Sequence, residues 1–391
     1  MRAHQLAVAL VLGLPISFVR AQYTLKKTYQ GSSFFDDWTF YGNFDDTNNG
    51  HVIYLNRQDA FSQKLVSITQ ANNAIIRVDN FTTLPITSPT LVEKRNSVRI
   101  NTNDLYGVGS LWVADFAHVP YGCGVWGAFW STPTNTSINF APWPTGGEID
   151  TFESWNLIQD SHYTLHTIPG CTVTNPSQTS SAFASMDCSA GNPVGAQGCS
   201  SNSTDQNTVG PNFSNVGGGI WITELASTGI SIWFFERANI PQSLKGNATS
   251  LDTSTFGTPA FNVPSTSCNV GSVFKPQSLI FDITLCGEAD YNQTQTCASR
   301  GACLQNTVWG NGSNFDEAYF EIQSIKVFQS TTTASGGSSA GSTAPQPTSS
   351  AGATSSGSTS TSGALALLAT SASASIYAVV GAAMFLAMLS A

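Results

Sequence analysis

"GGEIDTFESWN", residues 146–156, sets Glu148, Asp150 and Glu153 within six positions of a chain in which only 10% of residues are charged. Ile149 and Phe152 stand among the acids as in a half-buried strand, and Gly146-Gly147 supplies a turn ahead of it. On a flat strand side chains alternate, so Glu148 and Asp150 share one face and Glu153 points the other way. A bulge between Asp150 and Phe152 absorbs one residue and returns Glu153 to the face of the other two. Like charges at close range raise each other's pKa and cost stability, so three of them kept together point to chemistry.

Outward from this stretch, "VIYLN" (52–56), "SVRINTN" (97–103), "GSLWVADFAH" (109–118), "GISIWFFERA" (229–238), "LIFDITLC" (279–286) and "YFEIQSIKVFQ" (319–329) alternate in the same way. Each is bounded by Gly, Pro, Asn or Asp, and long helical periodicity is missing. The expected fold is all-β: a β-sandwich of jelly-roll type, one sheet of which offers a concave substrate cleft.

The ends read differently. Residues 1–21 run from a basic start through an apolar stretch, Leu6 to Phe18, to Val19-Arg20-Ala21, the pattern of a secretory signal cleaved before Gln22. Residues 22–328 form one catalytic-size domain. Residues 329–363, rich in Ser, Thr and Gly and free of charge, cannot pack a core. The apolar tail, 364–391, resembles a GPI-attachment signal removed on maturation, with attachment near Ser362 or Gly363. The expected location is the secretory route, ending at the cell membrane through a GPI anchor, the cell wall or outside the cell.

Eight cysteines in such a chain imply disulfides, with 105 connectivities open. Sequons at Asn80, Asn135, Asn202, Asn212, Asn247, Asn292 and Asn311 agree with the secretory route and suggest loops that face solvent. The net charge is −9 with no basic run, which argues against a nucleic-acid partner. No GxGxxG, Walker loop or H-E-x-x-H occurs, so nucleotide and zinc-protease chemistry lack their motifs. A monomer acting on a neutral ligand fits this balance, with no cofactor and no catalytic metal; a structural calcium stays open.

With the bulge, Glu148 and Glu153 stand roughly 13 Å apart at Cα and, leaning together, about 5 Å apart at their carboxyls, the separation expected of a retaining glycosidase. Glu148 is then the nucleophile, Asp150 the neighbour that orients it, and Glu153 the general acid and later base. Calcium binding and a solvated strand edge compete as explanations. Calcium loops, however, take their oxygens from turns, whereas Ile149 and Phe152 make this stretch strand-like. Trp126, Trp130, Trp143 and Trp155 surround the acids, and flat rings suit the apolar faces of sugars. Trp126 reads as core; Trp130 and Trp143, beside the turn-rich "STPTNTSINFAPWPTGG", read as groove.

Together "YGCGVWGAFWS", "APWPTGGEIDTFESWN" and "LHTIPGC" resemble glycoside hydrolase family 16, in particular its fungal endo-β-1,3(4)-glucanases. The resemblance covers most of residues 30–328, and the E-x-D-x-x-E form is the family's bulged, laminarinase-like variant. It implies a jelly roll with the acids in a cleft, retention of anomeric configuration, and glucan contacts by Trp130, Trp143 and His166. The chain departs from the pattern at Ser154-Trp155 and at Gly127, where Pro is frequent, which bears on linkage preference. The implied activity is hydrolysis of β-1,3 or mixed β-1,3/1,4 glucan. A wall transglycosylase of the same superfamily and a non-catalytic glucan-binding wall protein are the alternatives.

Overall fold

A computed structural model of the chain describes residues 22–85, 94–191, 197–287 and 295–331. Every alternating stretch quoted above contains a strand, and the strands assemble into two large antiparallel sheets packed as a jelly-roll β-sandwich. One seven-stranded sheet runs Cys199–Asn202, His162–His166, Glu148–Trp155, Val125–Thr132, Ser278–Leu285, Arg99–Thr102 and Trp38–Phe40. The other is built on the path Ser250–Asp252, Gln22–Tyr29, Tyr319–Ser330, Ser110–His118, Gly219–Ala226, Gly229–Glu236 and Phe261–Pro264. Strands far apart in sequence lie side by side throughout, as in Gln22–Tyr29 beside Tyr319–Ser330.

The core between the sheets is aromatic. Phe116 packs its ring 5.7 Å from those of Phe129, Phe281 and Phe320 and 5.5 Å from Trp221, all fully buried. The far face of the second sheet is also apolar: Leu111, Val113, Ile220, Ile222, Trp233 and Phe328 form a separate buried cluster, packed against Leu244 and Ala248. With both faces of that sheet and one face of the first committed to packing, the remaining face of the seven-stranded sheet is where polar side chains can gather. Glu148, Asp150 and Glu153 are there.

All eight cysteines are paired, Cys123–Cys297, Cys171–Cys268, Cys188–Cys199 and Cys286–Cys303. The domain runs slightly past the expected end at 328: its last strand continues to Ser330, whose N–H donates to the Gly109 carbonyl, and Thr331 N–H donates to that of Gln22. The described residues belong to one compact unit; the second, 335–391, lies outside them. The expectations for a signal at 1–21, for the linker past Thr331 and for the tail at 364–391 likewise fall outside the described residues. Among the described residues no helix is long and apolar enough to cross a membrane.

The sequons do not all face solvent. Asn135, Asn212, Asn247 and Asn311 are exposed, whereas Asn80 and Asn202 are half-buried, and Asn292 lies outside the described residues. Asn202 belongs to an edge strand rather than a loop, and the Asn80 amide donates to Asp316 at 2.6 Å. The departure at Gly127 also has a packing reason. A Cβ there would stand 2.2 Å from the Pro120 ring, which fills the room that a larger residue needs.

Candidate active site

Gly146 and Gly147 open the site. Both hold positive φ, +86° and +75°, a region other residues avoid, and a Cβ on Gly147 would meet the Phe274 ring at 2.4 Å. The chain can therefore turn tightly into Glu148. Along the strand, Asp150 pairs with Trp130 and Phe152 with Phe129 on one neighbour, while Asp150 pairs with Thr164 and Glu153 with His162 on the other. One residue, Thr151, is extra against its first neighbour. Both Thr151 and Phe152 point inward: Thr151 Oγ1 lies 2.6 Å from Thr223 Oγ1 of the facing sheet, and Phe152 packs 5.1 Å from the Trp221 ring. This bulge returns Glu153 to the outer face, as the spacing requires.

On that face each glutamate meets an indole N–H. Trp143 Nε1 donates to Glu148 Oε2 at 2.9 Å, and Trp126 Nε1 donates to Glu153 Oε1 at 3.1 Å. His166 Nε2 stands 3.2 Å from Asp150 Oδ2 and 3.9 Å from Glu148 Oε1. Its ring lies 5.4 Å from that of Trp143, which is 51% exposed and forms an open aromatic wall. Trp155 and His162 lie 4.2 Å apart at the far end of the strand.

Burial is the largest influence on all three acids. It pushes Glu148 up to about 8, helped by the charge of Asp150 and opposed by His166 and the Trp143 hydrogen bond. Glu153 is likewise pushed up to about 8 by burial and Asp150, against His166 and Trp126. Asp150, only 3% exposed, is raised well above the ordinary range by burial and then by Asp282. The raised Glu153 suits proton transfer to a leaving group, whereas Glu148 must give up its proton before its carboxylate can attack.

Sequence reasoning placed Trp130 and Trp143 beside the acids and the family resemblance added His166; all three line this face. It misplaced Trp126, whose indole reaches Glu153 instead of the core. The signal was present: in "VWGAFW" Trp126 and Trp130 share a parity, so whatever face holds one holds the other. It missed Asp282 altogether. This buried carboxylate accepts from Trp130 Nε1 at 2.6 Å and from the Tyr54 hydroxyl at 3.2 Å, and Arg99 lies over the Trp130 ring at 5.1 Å. Burial raises it to about 6, against Arg99 and the Trp130 bond. A lone acid inside the apolar "LIFDITLC" was the available clue.

Among the described residues, Glu148, Asp150 and His166 form a group whose ligand atoms lie within 4.8 Å of one another. Two carboxylates and an imidazole are not the six to eight oxygens that calcium takes.

A family model described as an XgeA-like catalytic GH16 domain matches residues 38–328. The chain belongs to glycoside hydrolase family 16. It is 38% identical over 316 residues to a probable endo-1,3(4)-β-glucanase of Neosartorya fischeri, covering 78% of this chain and 46% of that protein. A probable glycosidase of Schizosaccharomyces pombe is 31% identical over 316 residues, 80% of this chain and 71% of the relative. The chain thus spans about half the length of the Neosartorya protein. Among solved family 16 structures, laminarinase 16A of Phanerochaete chrysosporium, with 6-O-glucosyl-laminaritriose in both donor and acceptor sites, superposes with a TM-score of 0.71 at 30% identity. That match covers 79% of this chain and 100% of the laminarinase. An elongating family 16 β-1,3-glucosyltransferase gives 0.68 at 34% identity, covering 78% and 100%.

Proposed function

We propose that this protein is a retaining endo-β-glucanase cleaving β-1,3 or mixed β-1,3/1,4 glucan. The observation that carries the reading is the bulged strand that puts Glu148, Asp150 and Glu153 on one face, each glutamate under an indole N–H. The Glu148 carboxylate attacks the anomeric carbon; the glycosidic C–O bond breaks as the leaving oxygen takes the proton of Glu153. Glu153, now ionised, takes a proton from water, whose oxygen attacks the same carbon and frees Glu148 with overall retention. Asp150 orients Glu148, and Trp130, Trp143 and His166 contact the glucan. Catalysis needs no cofactor in this scheme.

A second reading has a specific support: the 34% identical elongating glucosyltransferase. In this reading Glu148 and Glu153 act as above, and the intermediate passes to a sugar hydroxyl instead of water. Product analysis of residues 22–331 on laminarin and mixed-linkage glucan, with and without an oligosaccharide acceptor, separates the two. Hydrolysis predicts shorter β-anomeric products whatever the acceptor; elongated products whose share grows with acceptor support the transferase, and binding without turnover overturns both.

For location, the reading is secretion followed by retention at the membrane or wall. Four disulfides and the uncharged 329–363 segment support it. Truncation after Thr331 then releases an active domain into the medium, while the full chain sediments with membranes or wall.

A further inference from the structure

Past the end of the Glu148–Trp155 strand lies a hollow of about 380 Å³, bordered by Tyr121, Leu157, Ile158, Val209, Pro211 and Asn212. Its size falls among small-ligand pockets, and its lining mixes apolar side chains with the polar Gln159, Asn212 and Thr296. Asn212 heads the sequon Asn212-Phe213-Ser214. The central Phe213 is fully buried and fixes the helix Gly210–Asn215, while Asn212 and Ser214 stay exposed.

We propose that this hollow seats the protein's own N-linked glycan, carried on Asn212. The first N-acetylglucosamine lays its apolar face against Tyr121, Leu157 and Ile158. Attachment forms a bond from Asn212 Nδ2 to the sugar's anomeric carbon. The donor, a lipid-pyrophosphate-linked oligosaccharide, loses its C–O bond to that carbon, and the amide proton leaves with the pyrophosphate. Asn212 is free for this: its amide makes one exposed 3.3 Å bond, to the Gln206 carbonyl, and keeps a second hydrogen for it after attachment. A second hollow of about 210 Å³ adjoins the first at Tyr121 and Leu157 and gives the glycan room to continue.

Two other sequons are less open. Both asparagines are half-buried: the Asn80 Oδ1 is buried while its amide donates to Asp316, and the Asn202 amide donates to Asp160. Asn247 is exposed, and the neighbouring Gly246 has open space where a Cβ would stand, so it serves as the reference for an unseated glycan.

The inference rests on the secretory reading, and its test distinguishes the two. The full chain is secreted from an N-glycosylating eukaryotic host, and each site is mapped by glycopeptide mass spectrometry before and after native treatment with an endoglycosidase that cuts between the first two N-acetylglucosamines. Asn212 is expected to be occupied, Asn80 and Asn202 empty, and native cleavage at Asn212 at least about tenfold slower than at Asn247. That ratio should fall to near one in Tyr121→Ala, in Ile158→Ala and after denaturation. Occupancy of Asn247 without Asn212, or equal native cleavage at both, overturns the seated glycan. An unglycosylated chain overturns the secretory reading as well.

Discussion

The two indole donors give the sharpest test at the residue scale. A hydrogen bond to the ionised form holds a carboxyl's pKa down, so losing the donor raises it. Trp143→Phe should therefore move the acid limb of the kcat/KM profile up by about one pH unit, and Trp126→Phe should move the alkaline limb up similarly. A limb that stays fixed in a folded variant would detach that indole from its glutamate. Because Glu148 and Glu153 are both raised, the folded domain holds protons that the unfolded chain has released between the ordinary glutamate range, near 4.5, and about 8. Their contribution to stability falls as pH rises through that window. His162, depressed to about 4 by burial, acts oppositely below its ordinary value, so the test is a difference: Glu148→Gln should flatten the fall in denaturant midpoint between about pH 5 and 8. At this scale the acids, Trp130 and Trp143 were legible because motif chemistry is local, and His166 was reached only through the family resemblance. Asp282 was not, since its role depends on Trp130 from another strand, 152 positions away.

At the scale of the element, everything turns on the bulge. Phe152 is wedged among Phe116, Trp221 and Phe320, so removing it opens a cavity worth about 3 to 5 kcal/mol. Thr151 is the residue the register skips, and its deletion leaves E-I-D-F-E, an unbulged strand that keeps all three acids on one face. That variant should fold and retain partial activity, whereas deleting Thr151 and Phe152 together reverses Glu153 and should abolish turnover. Equal activity in two folded deletions, judged by circular dichroism and turnover, would contradict the bulge. The strand and its bulge were legible because three acids fit one face only if a residue is skipped. The Gly219–Ala226 strand was not. It is buried on both faces, Trp221 in the central core and Ile220 and Ile222 in the second cluster, so it carries no alternation to read.

For the whole molecule, the disulfide between Cys123 and Cys297 spans 174 positions, and replacing both cysteines by serine should cost about 2 to 5 kcal/mol in chemical denaturation. A loss below half a kcal/mol would mean that packing alone closes that loop. The jelly roll itself was legible as a class from the alternating strands; its pairing was not, because each sheet joins strands from opposite ends of the chain and nothing local encodes which neighbours meet. That long-range pairing sets Trp126, Asp282 and His166 around one strand, and the proposed chemistry depends on it. The most direct measurement is to trap the glycosyl-enzyme with a 2-fluoro laminari-oligosaccharide bearing an activated leaving group, then locate the added mass by peptide mapping. The expected result is one sugar ester per chain on Glu148, formed in Glu153→Gln as well and absent in Glu148→Gln. A label on Glu153 or Asp150, or a folded enzyme that turns over natural glucan to inverted products without ever being labelled, would contradict it.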